Sequence, residues 1–222
     1  MKASKNSKRV LWLTLFVVLA VSYPWFYISL PIQGKVIDSG TGKPLQGVII
    51  LANWDLYVDT FMHKNSLGPI YLNETITDDL GEFRFSFWIR VPLRGSMESY
   101  SPVLRLYKQD YRVGGGINNR QYNPILFISS DFDGKSIELE PFVGTQKEYA
   151  EHIKDKIDFE LSSIGNDNCI LNKAPLILQA MEDVQTKFMM EGINTKFSAP
   201  RIKERIDEEC SGIEGLLRRI LF

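Results

Sequence analysis

The sequence predicts a mainly β protein: one apolar membrane-spanning helix, then a β-sandwich, then a small C-terminal helical region. Three observations carry this. A charge-free stretch runs from Val10 to Gly34 behind a basic N-terminus. Short apolar or alternating segments, punctuated by Gly, Pro, Asn and Asp, fill Ile32 to Glu140. After Pro141 the apolar residues recur at spacings of three and four. The predicted units are a basic tail over 1–9, an anchor over 10–30, a sandwich over 32–141 and a helical region over 145–222.

Composition narrows the function classes. With 26 basic and 27 acidic side chains the net charge is −1, which argues against a nucleic-acid partner held by bulk electrostatics. Two cysteines and two histidines leave little room for a four-cysteine zinc site or for metal catalysis, and no cofactor is expected. At 44% hydrophobic residues the chain can bury a core.

Lys2, Lys5, Lys8 and Arg9 precede the apolar stretch, and Val10 to Leu30 supplies the roughly 20 residues a helix needs to cross a hydrocarbon core. The basic flank is expected to stay cytoplasmic, placing the rest of the chain in the periplasm or outside the cell. Tyr23, Trp25, Phe26 and Tyr27 fit an interfacial aromatic belt. Pro24 bends or ends the helix. The alternative is a signal peptide cut after Ala20-Val21-Ser22, which would release a soluble binding protein. An uncleaved anchor is favoured because the apolar character continues through Trp25, Phe26, Ile28 and Leu30.

Strands follow in order. Ile32 to Asp38 reads as the first, with Ser39 to Pro44 as its turn, and Leu45 to Leu56 as the second. A polar and aromatic loop is expected from Tyr57 to Leu72, then a strand from Asn73 to Thr77 and a turn over Asp78 to Gly81. Phe83, Phe85 and Phe87 alternate with Arg84, Ser86 and Trp88, so the phenylalanines are expected on one face, in the core. Val103 to Tyr107 is the next strand. Gly114 to Gly116 reads as a flexible linker to Ile125–Ile128, and Ile137 to Leu139 closes the set after a turn at Asp133-Gly134.

Ile32-Gln33-Gly34-Lys35-Val36-Ile37-Asp38, Thr41-Gly42-Lys43-Pro44-Leu45-Gln46-Gly47-Val48, Thr77-Asp78-Asp79-Leu80-Gly81-Glu82-Phe83 and Tyr107-Lys108-Gln109-Asp110-Tyr111 resemble the carboxypeptidase regulatory-like domain, a transthyretin-like (Ig-like) β-sandwich. The similarity covers residues 32 to about 140. It implies a fold and an accessory role rather than an activity. Gly34 and Gly47 are expected at strand positions where a bulge or another backbone comes close, and Gly42 and Pro44 in a turn. Asp78 is expected to hydrogen-bond its own turn, with Gly81 at positive φ returning Phe83 to the core.

Tyr149, Ile153, Ile157, Leu161 and Ile164 form one apolar stripe on a first helix, stopped at Gly165 to Asn168. A second is expected from Pro175 to near Gly192 with Ile177, Met181, Val184 and Phe188 on one face, and a third capped by Ser198, carrying Ile202, Ile206, Cys210, Ile213 and Leu217. Cys169 and Cys210 are expected to form a disulfide if the domain lies beyond the membrane; two separate buried thiols are the alternative.

Catalytic patterns are weak. His63 and His152 stand in no metallopeptidase ligand set, and the motifs of transthyretin-like hydrolases and intradiol dioxygenases are missing from the sequence. Ser129-x-Asp131-x-Asp133-Gly134 with Glu140 only partly mimics a calcium loop and reads as a turn. Trp54 and Trp88 read as core, and Tyr57, Phe61 and His63 as a candidate binding surface. The expected function is a non-enzymatic interaction module on the outer face of a bacterial inner membrane, held by residues 10–30 and binding an envelope protein or glycan. An envelope enzyme using His63 or His152 as general base, in a site between sandwich and helices, is the alternative.

Overall fold

The computed structural model describes residues 12, 14, 26–61, 63–92, 94–119, 127–164 and 168–210. The basic tail, most of the expected anchor, Ile125, the stop at 165–167, Ile213 and Leu217 lie outside these residues. Among the described residues no helix is long and apolar enough to cross a membrane.

Strands β1 (Tyr27–Ser29) and β2 (Ile32–Asp38) begin the sandwich, five residues before the boundary expected at 32. The apolar stretch therefore divides. Its last residues cannot be a lipid-spanning helix, because Tyr27 is 2% exposed and its hydroxyl accepts the Met97 N–H at 3.0 Å. Tyr27 is thus a core residue rather than part of an aromatic belt.

One layer combines two short sheets ordered β10-β1-β6 and β11-β2-β5, with β5 (Glu82–Phe85), β6 (Trp88–Arg90), β10 (Phe127–Ile128) and β11 (Lys135–Leu139). The antiparallel register runs from Tyr27↔Arg90 and Ser29↔Trp88 to Ile32↔Phe85 and Lys35↔Glu82 without a shift. The two sheets are therefore one bent layer, interrupted at Pro31, which has no N–H for the ladder. The second layer is ordered β4-β3-β8-β9, with β7 (Ser96–Met97) added to β3 (Ile49–Asp59). The others are β4 (Lys64–Ile76), β8 (Val103–Tyr107) and β9 (Gly114–Ile117).

Between the layers lie Ile50, Ala52, Trp54, Phe83, Phe85, Trp88 and Leu104. Phe87 does not join them: β5 ends at Phe85, and Phe87 is 63% exposed in the break before β6. The expected loop over Tyr57–Leu72 is instead the far half of a long β3–β4 hairpin. Two register shifts, between Trp54 and Asp55 and between Leu56 and Tyr57, absorb Ile70 and Leu67 and let Pro69 sit in an outer strand. Gly114 to Gly116 are also strand rather than linker. A Cβ on Gly115 would fall within about 2 Å of the Leu104 carbonyl oxygen, so β9 pairs with β8 through bare backbone.

The helical region packs on the second layer's other face. Leu51 and Tyr107 share a core with Tyr149, Ile153, Ile157, Leu161, Met181 and Phe188. α1 (Gln146–Ile153) opens with a capping box in which Thr145 accepts the Glu148 N–H and Glu148 accepts the Thr145 N–H. The stripe from Tyr149 to Leu161 advances by four residues three times, about one residue more than three turns of 3.6 allow. A π-turn at Lys154–Asp158 takes up that excess before α2 (Phe159–Ser163), and all five stripe residues stay buried.

After a 3-10 turn at Asn168–Lys173 come α3 (Pro175–Met190) and α4 (Ala199–Glu209). Ser198 does not cap α4 with its side chain. Its N–H and hydroxyl both donate to the Asp158 carboxylate, so the cap is supplied by a neighbouring helix. Glu74 of β4 caps α3 in the same way, accepting the Leu176 and Ile177 N–H groups. Cys169 and Cys210 are joined by a disulfide with Cα atoms 5.4 Å apart.

Candidate functional site

Tyr57, Phe61 and His63 are brought together at the tip of the β3–β4 hairpin. The Thr60 hydroxyl and N–H both donate to the His63 carbonyl, closing the tip and leaving Phe61 at 102% exposure. The Lys64 ammonium stands 3.6 Å from the Tyr57 ring centroid and pairs with Glu98, which is buried. That ion pair raises the Lys64 pKa. The tip is thus a braced projection with an apolar end.

Below it lies a polar cluster that sequence reasoning missed. Asn53 and Asp55 interrupt an otherwise apolar strand, and that interruption was the available signal. The Asn53 amide donates to both Asp55 carboxylate oxygens at 3.1 and 3.0 Å, and the Ser101 hydroxyl accepts the Asp55 N–H at 3.1 Å. Arg105 pairs with Glu160 of α2 at 2.7 Å. Burial pushes the Asp55 carboxyl up from 3.8 to about 6; the Asn53 hydrogen bond opposes this, Glu160 and Glu98 add to it, and Arg105 opposes it.

This cluster makes stability depend on pH. Below the unfolded pKa both states hold the proton and Asp55 costs nothing. Above about 6 the folded state must bury an ion, so stability falls as pH rises between these values, by up to about 3 kcal/mol. Asp55→Asn removes the ion, and its amide offers a donor to Asn53 Oδ1, a buried acceptor without a partner. The expected result is a gain of about 2 kcal/mol at pH 7 and a flatter profile from pH 4 to 6. Urea unfolding at several pH values checks this; an unchanged profile would contradict it.

The residues that carry the family resemblance build the opposite side. Asp78 Oδ1 accepts the Leu80 and Glu82 N–H groups at 3.0 and 2.8 Å, and Gly81 has φ +73°. The Gly42 N–H closes its turn on the Asp38 carbonyl, and Pro44 bridges to Ile37. Gly47 lies in the turn before β3 rather than on a strand. At Gly34 a Cβ would lie 2.7 Å from the Phe83 ring and 2.9 Å from the Lys135 carbonyl oxygen of β11. An open groove of about 570 Å³ passes over Gly34 and Phe83, lined by Lys35, Thr75, Glu82, Arg84, Lys135 and Ser136. Lys35, Arg84 and Lys135 outnumber Asp78 and Glu82 along it.

No protein-family model matches the chain, and no curated protein sequence does. Among solved structures, 3-chlorocatechol 1,2-dioxygenase from Rhodococcus opacus is 16% identical, over 53% of this chain and 60% of that one, with a TM-score of 0.31. Catechol 1,2-dioxygenase from Acinetobacter radioresistens is 10% identical over 53% of each chain, with a TM-score of 0.30. The C-terminal domain of the shaft pilin spaA from Lactobacillus rhamnosus GG is 11% identical over 53% of this chain and 98% of that domain, at 0.24. The chain spans little more than half the length of the two enzymes, and scores this low do not establish a shared fold.

Both histidines are placed. The Val113 N–H donates to His152 Nε2 at 3.0 Å, and burial, then Arg112 and Lys156, lower the His152 pKa. His63 is exposed at the hairpin tip, on a different element. Among the described residues no group of three or more His, Cys, Asp or Glu could hold a metal ion. Asp133 accepts the Gln33 N–H at 3.0 Å and Asp131 the Asn119 N–H at 3.2 Å, so the calcium-like run is a turn tied to its neighbours.

Proposed function

We propose that this chain is a membrane-tethered, non-enzymatic interaction module on the outer face of a bacterial cytoplasmic membrane, binding an acidic segment of an envelope protein or an anionic glycan. The observation that carries the reading is the disulfide between the buried cysteines Cys169 and Cys210, a bond that persists outside a reducing cytoplasm. The basic residues ahead of the apolar stretch support the same orientation. The resemblance to the carboxypeptidase regulatory-like domain supports an accessory role. The use of His152 as a backbone acceptor supports a non-enzymatic one.

The partner surface in this reading is the groove over Gly34 and Phe83, whose Lys35, Arg84 and Lys135 match an anionic ligand. A photo-cross-linking residue at Ser136 in living cells is expected to trap a discrete partner. Arg84→Glu with Lys135→Glu, which face no acid directly across the ladder, is expected to reduce that product at least tenfold while leaving the unfolding midpoint within the error of measurement. A product that survives the double reversal, or no product from several groove positions, would overturn the reading.

A further inference from the structure

We infer that the β3–β4 hairpin tip and the loop after β6 rest in the headgroup region of the phospholipid bilayer, so that the domain is held against the membrane at a fixed pole. This rests on the reading that residues before 26 form a membrane anchor. Strand positions set the direction. Leu56 pairs with Met97, whose N–H reaches the Tyr27 hydroxyl; Trp54 meets Trp88 edge-on at 5.5 Å, and Trp88 pairs with Ser29. Rising numbers in β3 thus match falling numbers in β1. At about 3.3 Å per residue, the end of β3 and its turn project roughly 10 Å past the level of Tyr27. That is the end from which the chain leaves toward residue 25.

Tyr27 is already in the sheet and the charge-free stretch lies immediately before it, so on the anchor reading the bilayer surface lies close to Phe26. A tip projecting from this pole reaches that surface. Its chemistry fits. Phe61 is fully exposed and Val91 is 62% exposed, while Phe26 and Val58 are each more than a third exposed. The loop carrying Val91 lies along the hairpin, since a Cβ on Gly95 would fall 2.6 Å from the Tyr57 carbonyl oxygen. Arg90 and Arg94 stand on either side of Val91 in the chain, Lys64 is paired with Glu98, and Asp59 is an exposed acid at the tip. Exposed apolar side chains with arginines on the same loop are what an anionic interface selects.

The test uses the full-length chain. Both native cysteines are in the disulfide, so one introduced cysteine is the single free thiol. Phe61→Cys, Val91→Cys, Leu80→Cys and Val18→Cys are each labelled with an environment-sensitive fluorophore. The proteins are reconstituted in vesicles of phosphatidylcholine and phosphatidylglycerol at four to one, with spin-labelled lipids as quenchers. Leu80 is exposed in the turn at the other pole. The expected result is quenching at 61 and 91 by shallow spin labels at least threefold stronger than at 80, with 18 quenched by deep labels. Equal weak quenching at 61, 91 and 80 with a deeply quenched 18 would overturn the docking and leave the anchor. An unquenched 18 would overturn both. Blue-shifted emission at 61 without lipid quenching would assign the tip to a protein neighbour and overturn the proposal.

Discussion

Replacing Cys169 and Cys210 together by Ala is expected to cost about 4 kcal/mol, the loop-closure entropy returned to the unfolded chain when a 41-residue separation is released. The loss is large against the 5–15 kcal/mol that a domain commonly has. The two sulfurs join the 3-10 turn before α3 to the end of α4, inside a core that also holds Leu171, Ile202 and Ile206. Without the bond the short α4 depends on its packing and on the Asp158 cap. Urea unfolding of the oxidised protein, the reduced protein and the double variant checks this. Midpoints that coincide in all three would contradict the expectation. A reduced protein matching the double variant would attribute the effect to the bond rather than to the side chains.

The other large effect belongs to Trp54, which is 1% exposed and touches Trp88, Phe85 and Tyr71 at centroid distances of 5.5, 6.3 and 5.4 Å. Trp54→Ala is expected to cost about 4 kcal/mol, because the space between the layers is held open on every side and cannot collapse. Trp54→Phe is expected to cost much less than half of that. The indole N–H is buried without a hydrogen-bond partner, so phenylalanine loses area but also removes an unpaid donor. The difference between the two variants in a denaturant titration reads the cavity separately from the polar group. Equal losses would show that the N–H matters little and that the ring's outer half carries the packing.

How far the sequence could be read follows from how local each signal is. Strand β2 has the same limits in sequence and structure, because an alternating run is closed by a turn whose Asp38 carboxylate collects the Gly40 and Thr41 N–H groups. The start of α3 at Pro175 and the stripe through Tyr149 and Leu161 were equally local. The hairpin was not, since Asn65, Ser66, Gly68 and Pro69 have turn chemistry and become strand only through the bulges that pairing with β3 imposes. Phe87 failed for the converse reason: its alternation is regular, but the layer bends before it. The cluster around Asp55 joins residues 53, 55, 98, 105 and 160, and no spacing rule spans such distances. The groove combines β2, β5 and β11, whose parallel pairing with β2 the sequence does not signal.

Strand β3 turns Ile50 and Trp54 to one core and Leu51 to another. A wall common to two rooms cannot be moved with one of them. Cutting the chain after residue 141 would strip the cover from Leu51, Leu72 and Tyr107 and remove the helix whose first N–H groups Glu74 holds. The sandwich is therefore not a portable part that evolution or an engineer can transplant by itself. Whatever is grafted, released or inherited from this chain carries its helices with it.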